Sequence, residues 1–120
     1  MTQLQAAKKG IITDAMKQVA ADENVAPEKI CEGIALGHLV IPLNPNHKNV
    51  KAVGVGKLFK TKINANLGRS TTRPGKGDVL IKLEVALKAG ADFVMDLSVG
   101  ENVFDIRQGM LEASPAPLQT

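Results

Sequence analysis

Between positions 59 and 113 the hydrophobic period of the chain switches from that of a strand to that of a helix, back, and again, and few architectures accommodate this order. Residues 59–67 alternate, with Lys62, Asn64 and Asn66 on one face and Ile63, Ala65 and Leu67 on the other, as period-two geometry requires. Residues 78–89 then space Val79, Leu80, Leu83, Ala86 and Leu87 at helical intervals, with Asp78 suited to the N-terminal dipole and Gly90 to the C-cap. Residues 92–97 form a mostly apolar run of strand length, and residues 102–113 carry Val103, Ile106, Met110 and Leu111 on one helical face before Pro115 and Pro117 end it. A strand, helix, strand, helix order with a proline-marked return toward Leu118 describes successive parallel crossovers, right-handed in nearly all cases. The predicted class is α/β with a parallel sheet or barrel.

The preceding segment reads differently. Leu4 and Ala7 precede Gly10, Thr13 is placed as an N-cap with Met16, Val19 and Ala20 on one face, and Asn24 closes that helix. Pro27 and Glu28 open a third helix whose stripe is Ile30, Cys31, Ile34 and Ala35, stopped by Gly37. This stripe puts Cys31 in the core. Residues 38–42 read as a short strand, followed by a turn-rich break at residues 44–47. A break in organisation is therefore expected here, and the strand and helix rounds that follow read as the start of a larger α/β barrel. With 120 residues the chain is shorter than the roughly 250 of a whole eight-stranded barrel, so the barrel is expected to be incomplete.

Composition narrows the function. No stretch approaches the ~20 apolar residues of a membrane span, and no export signal follows the opening MTQLQAAKKG, so a cytoplasmic location without membrane attachment is expected. A net charge of +3 with three Phe and no Trp or Tyr argues against nucleic-acid binding. The only cysteine is Cys31, so neither a disulfide nor a cysteine-ligated cluster can be built from this chain alone. His38 and His47 lack metal-motif spacing, and no Ser, His and Asp constellation can be assembled. The glycines of VGVGK do not form a phosphate loop, because Lys51 and Leu58 stand where that motif needs Gly and Ser or Thr.

Ligands of parallel α/β folds gather at the C-terminal ends of the strands, where this chain places Asn64, Asn66, Asp96 and Ser98. Asn64 and Asn66 fit either ligand contact or structural hydrogen bonding. The loop at residues 69–77, RSTTRPGKG, has the cations, hydroxyls and glycines to hold a phosphate, and equally the composition of a solvated surface loop.

The strings KINANLG at residues 62–68 and VMDLSVG at residues 94–100, with AKKGIIT, the IP-N-NH pattern at residues 41–47, GADFVMDLS and ASPAP in the same order, closely resemble the opening region of the phosphomethylpyrimidine synthase (ThiC) family. The resemblance covers essentially the whole chain. It implies an N-terminal accessory region, residues 1–57, and the first two βα units of a TIM-like barrel, residues 58–120, in an enzyme that uses S-adenosylmethionine and a [4Fe-4S] cluster to convert aminoimidazole ribotide to hydroxymethylpyrimidine phosphate by radical chemistry. It also implies that Asn66 and Met95 contribute to binding the ribotide. If Asp96 and Ser98 point into the barrel, alternation sends the Met95 side chain outward, leaving contact through its backbone or after a bulge. The RSTTRPGKG loop is more basic than the family's usual sequence, which bears on substrate or product choice. The family's cysteine motif and metal-binding histidines have no counterpart before Thr120, so catalysis by this chain alone is not expected. The related 5-hydroxybenzimidazole synthase is an alternative, as is a non-catalytic truncated paralogue acting as an interaction module. An open parallel sheet predicts self-association or association with the rest of the barrel.

Overall fold

A computed structural model describes residues 1–70 and 75–120. The chain divides into two compact units, one of Met1–Leu43 with Ala52–Thr61 and one of Asn44–Lys51 with Lys62–Thr120.

The first unit is helical with a small antiparallel ladder. Helix α1 (Gln3–Lys8) starts from a capping box in which the Gln5 amide donates to Thr2 Oγ1 at 3.1 Å and the Thr2 amide donates to Gln5 Oε1 at 2.9 Å. Helix α2 (Asp14–Glu23) begins at Thr13, whose hydroxyl accepts from the Met16 amide, and ends at Asn24 in the left-handed region at φ 52°. Helix α3 (Pro27–Ala35) opens on the proline that the sequence places there. Met16, Val19, Ile30, Ile34 and Leu39 close the core, and Cys31 joins them. Strands β1 (Leu39–Val40) and β2 (Val55–Gly56) pair antiparallel. The VGVGK glycines serve packing here: a Cβ on Gly54 would collide with the Phe59 ring and Val19, and one on Gly56 with the His38 carbonyl. β2 is too short for periodicity to announce, and the sequence reading misses it.

The second unit contains a parallel sheet in the order β3 (Asn64–Leu67), β4 (Phe93–Asp96), β5 (Leu118–Gln119). Helix α4 (Lys76–Lys88) connects β3 to β4, and α5 (Val103–Ala113) connects β4 to β5. Gly90, at φ 95°, takes the chain out of α4 as expected. Val79 and Leu83 from α4 and Ile106 and Met110 from α5 pack on Val94 of β4, with Ala116 beside them and Leu67 and Leu118 half-buried at the margin. The helices therefore lie on one face of the sheet. Residues 44–51 belong to this unit. His47 is buried with Nε2 2.7 Å from the Ser114 carbonyl oxygen, Asn49 Nδ2 donates to the Glu112 carbonyl at 3.1 Å, and the Lys51 amide donates to the Pro115 carbonyl at 2.8 Å.

This is a mixed α/β chain, as the sequence predicts, and among the described residues no barrel closes. The predicted strand over residues 59–67 is shorter than expected. Only Asn64–Leu67 is a strand, while Phe59 sits in a turn whose amide bonds the Gly56 carbonyl and packs against the core of the first unit. Alternation continues into those residues, but among the described residues the ladder with β4 begins at Asn64.

Candidate functional site

The parallel register sets the faces of the sheet. Asn64, Ala65, Asn66 and Leu67 of β3 stand opposite Phe93, Val94, Met95 and Asp96 of β4, and in a parallel pair such partners point to the same side. Leu67 and Val94 touch the helical core, so Ala65 and Asp96 share their side. Asn64 and Asn66, with Phe93 and Met95, occupy the face turned away from α4 and α5. On the third strand Gln119 is the partner of Met95, so Asn66, Met95 and Gln119 form one transverse row across this face. The sequence reading does not single out Gln119, because a two-residue strand carries no periodic signal.

The direction of Met95, which the sequence made conditional on that of Asp96, follows from the register. Asp96 does not point to the same side as Asn66. Its side chain turns toward the helices, where Oδ2 receives Arg107 Nε of α5 at 2.9 Å. With Asp96 on the helix side, alternation brings Met95 onto the face of Asn66, and no bulge is needed. Met95 is half-buried, while Asn64 and Asn66 are exposed. The two asparagines are also joined, with Asn64 Nδ2 donating to Asn66 Oδ1 at 2.7 Å.

Asp96 and Ser98 organise the strand ends. The Ser98 amide donates to Asp96 Oδ1 at 2.9 Å, and Ser98 Oγ accepts from the Arg69 amide at 3.1 Å, linking the ends of β4 and β3. Burial pushes the Asp96 carboxyl up, but the Ser98 hydroxyl and amide and the Arg107 guanidinium together outweigh it and hold the pKa below its ordinary value. Asp96 is thus a charged structural pivot and not a proton carrier at neutral pH. Lys82 of α4 donates to the Gly68 carbonyl at 3.1 Å and adds a further tie at the end of β3.

Of the basic loop, residues 71–74 lie outside the described residues. Arg69 donates to the Glu101 carbonyl, and Lys76 pairs with Asp105 at 2.9 Å, so both flanking cations have partners within the protein. Among the described residues no three His, Cys, Asp or Glu side chains converge as a metal site. Cys31 is buried, its Sγ 3.7 Å from the Ala7 carbonyl oxygen and 3.9 Å from that of Ile11, in the core position expected of it. One enclosed thiol does not fit the ligand set of an iron–sulfur cluster. No helix among the described residues is long and apolar enough to cross a membrane.

A parallel sheet with helices on one face and a polar row on the other defines an α/β chain of the kind that binds ligands at strand ends. The sequence profile described as the Radical SAM ThiC family matches residues 2–120. The chain belongs to that family. It is 49% identical over 120 residues to a phosphomethylpyrimidine synthase of Carboxydothermus hydrogenoformans, covering 100% of this chain and 28% of that protein. It is 48% identical to the synthase of Moorella thermoacetica with the same coverage. With the Halobacterium salinarum synthase it shares 47% identity over 119 residues, 99% of this chain and 25% of that protein. The chain therefore spans about a quarter of the length of the curated relatives it matches.

Proposed function

We propose that this chain is the N-terminal portion of a phosphomethylpyrimidine synthase, supplying the accessory region and the first βα units of a TIM-like barrel. In this reading the accessory region is residues 1–57 and the barrel portion residues 58–120. The reaction served is conversion of aminoimidazole ribotide to hydroxymethylpyrimidine phosphate in the cytoplasm. Family membership supports the activity class. The observation that carries the site is the register of Asn66 with Met95 on the face turned away from the helices. An amide that donates and accepts beside a polarizable thioether is suited to a polar, flat heterocycle.

The outer strands β3 and β5 each have one neighbour among the described strands, which favours association with further strands of the parent barrel, or with a second copy, over function as an isolated sheet. S-adenosylmethionine and a [4Fe-4S] cluster are implied for the family. The residues here, with Cys31 the one cysteine, do not supply the cluster's ligands.

The test is a chimera in which the matching region of the Carboxydothermus hydrogenoformans synthase is replaced by these 120 residues. After cluster reconstitution, the chimera is expected to convert aminoimidazole ribotide to the pyrimidine phosphate, and Asn66→Ala is expected to raise KM about tenfold, equivalent to about 1.4 kcal/mol of binding. A folded, cluster-loaded chimera that leaves the ribotide untouched rejects the reading. A hydroxybenzimidazole product would reassign it to the related synthase.

A further inference from the structure

We propose that Asn64 is a positioning residue that fixes which end of the Asn66 amide faces the ligand, an assignment that rests on the ribotide-pocket reading of Asn66. The two asparagines lie two residues apart on one strand and on one face, so their side chains stand side by side. Asn64 Nδ2 donates to Asn66 Oδ1 at 2.7 Å. That bond engages one of the two lone pairs of Asn66 Oδ1 and turns this oxygen toward Asn64. Asn66 Nδ2 has no partner within the described protein and is the group left to the ligand. With its oxygen held toward Asn64, Asn66 presents its Nδ2 donor to the ligand and favours a ligand atom that accepts: a ring nitrogen, a carbonyl, a sugar oxygen or a phosphate oxygen.

An asparagine at position 64 is needed for this. Its backbone pairs in the ladder opposite Phe93, and its side chain brings to Asn66 a donor that an aspartate of the same shape lacks. An aspartate at 64 would accept from Asn66 Nδ2 instead, turning the Asn66 amide around so that its oxygen faces the ligand. Aspartate keeps the shape of asparagine but replaces its donor with an acceptor and adds a negative charge, so the charge effect has to be separated from the reversal.

The chimeric synthase described above separates the possibilities. Ribotide dissociation constants are measured for the parent, Asn64→Ala, Asn64→Asp, Asn66→Ala, and the double variants Asn64→Ala/Asn66→Ala and Asn64→Asp/Asn66→Ala, each checked for an unchanged melting temperature and cluster content. The expected result is about threefold weakening for Asn64→Ala and more than tenfold for Asn64→Asp, with both effects vanishing in the Asn66→Ala background. A mere charge effect of the new carboxylate on the ribotide phosphate would persist in that background and would overturn the assignment. Equal weakening by Asn64→Ala and Asn64→Asp, or none by either, would also overturn it while leaving the pocket intact. If Asn66→Ala itself binds ribotide as tightly as the parent, the pocket reading fails, and the positioning role falls with it.

Discussion

Arg107 Nε lies 2.9 Å from Oδ2 of Asp96, joining the middle of α5 to the last residue of β4 through a carboxylate that is fully shielded from solvent while the arginine stays about one-third exposed. This asymmetry decides what the pair contributes. The carboxylate has lost its water and depends on its protein partners, whereas the guanidinium can be rehydrated if the partner is removed.

The folded-state pKa of Asp96 is below its ordinary 3.8, so the folded state binds the proton less readily than the unfolded chain. Its stabilisation is fully present above the unfolded-state value and is lost as pH falls through the folded-state value. Asp96→Asn is expected to destabilise the protein by about 2 kcal/mol at pH 7, the contribution of hydrogen bonds to a charged group. The deficit should shrink toward zero in acid. Urea unfolding at a series of pH values from neutral to acid checks this, and a deficit independent of pH would assign the loss to shape and not charge.

The same residue shows where sequence reasoning reached its limit. Helix limits were legible because they are written locally, in Thr13 and Asn24 for α2, Pro27 for α3 and Gly90 after α4. The polar row of β3 was legible because Leu67, on the opposite face, is apolar and meets the core. The direction of Asp96 was not, since its partner is eleven positions away on a helix and nothing in a four-residue strand says that a buried polar residue faces helices. The side taken by Met95, which the sequence made conditional on Asp96, follows from it: with Asp96 on the helix side, alternation puts Met95 on the face of Asn66. β2 and β5, of two residues each, are defined by pairing alone.

Gly68 sets how closely the ends of β3 and β4 approach. A Cβ there would lie 2.8 Å from both the Leu97 carbonyl carbon and the Ser98 amide nitrogen, backbone atoms that cannot rotate aside. The contact sits between two bonds, Leu97 amide to Leu67 carbonyl at 2.7 Å and Arg69 amide to Ser98 Oγ at 3.1 Å. Gly68→Ala is expected to cost about 3 kcal/mol. In the chimera it should also weaken ribotide binding, since the strands that carry Asn66 and Met95 are separated. Denaturation midpoints and ribotide titration read the two effects, and unchanged stability would show that the backbones can spread without loss.

Cys31 provides a test of where the cluster ligands lie. Cys31 is 7% exposed, and the helix carrying it packs on α1 and α2 in the core of the first unit. Both near neighbours of Sγ are backbone carbonyl oxygens, which accept from the thiol. Cys31→Ala should therefore cost about 1 kcal/mol through lost packing of one sulfur atom, with no loss of the reconstituted cluster in the chimera. Iron and sulfide content per chain, measured beside the urea midpoint, checks both parts. A fall in bound iron in a variant that remains folded would place Cys31 among the ligands, against the enclosed position the core gives it.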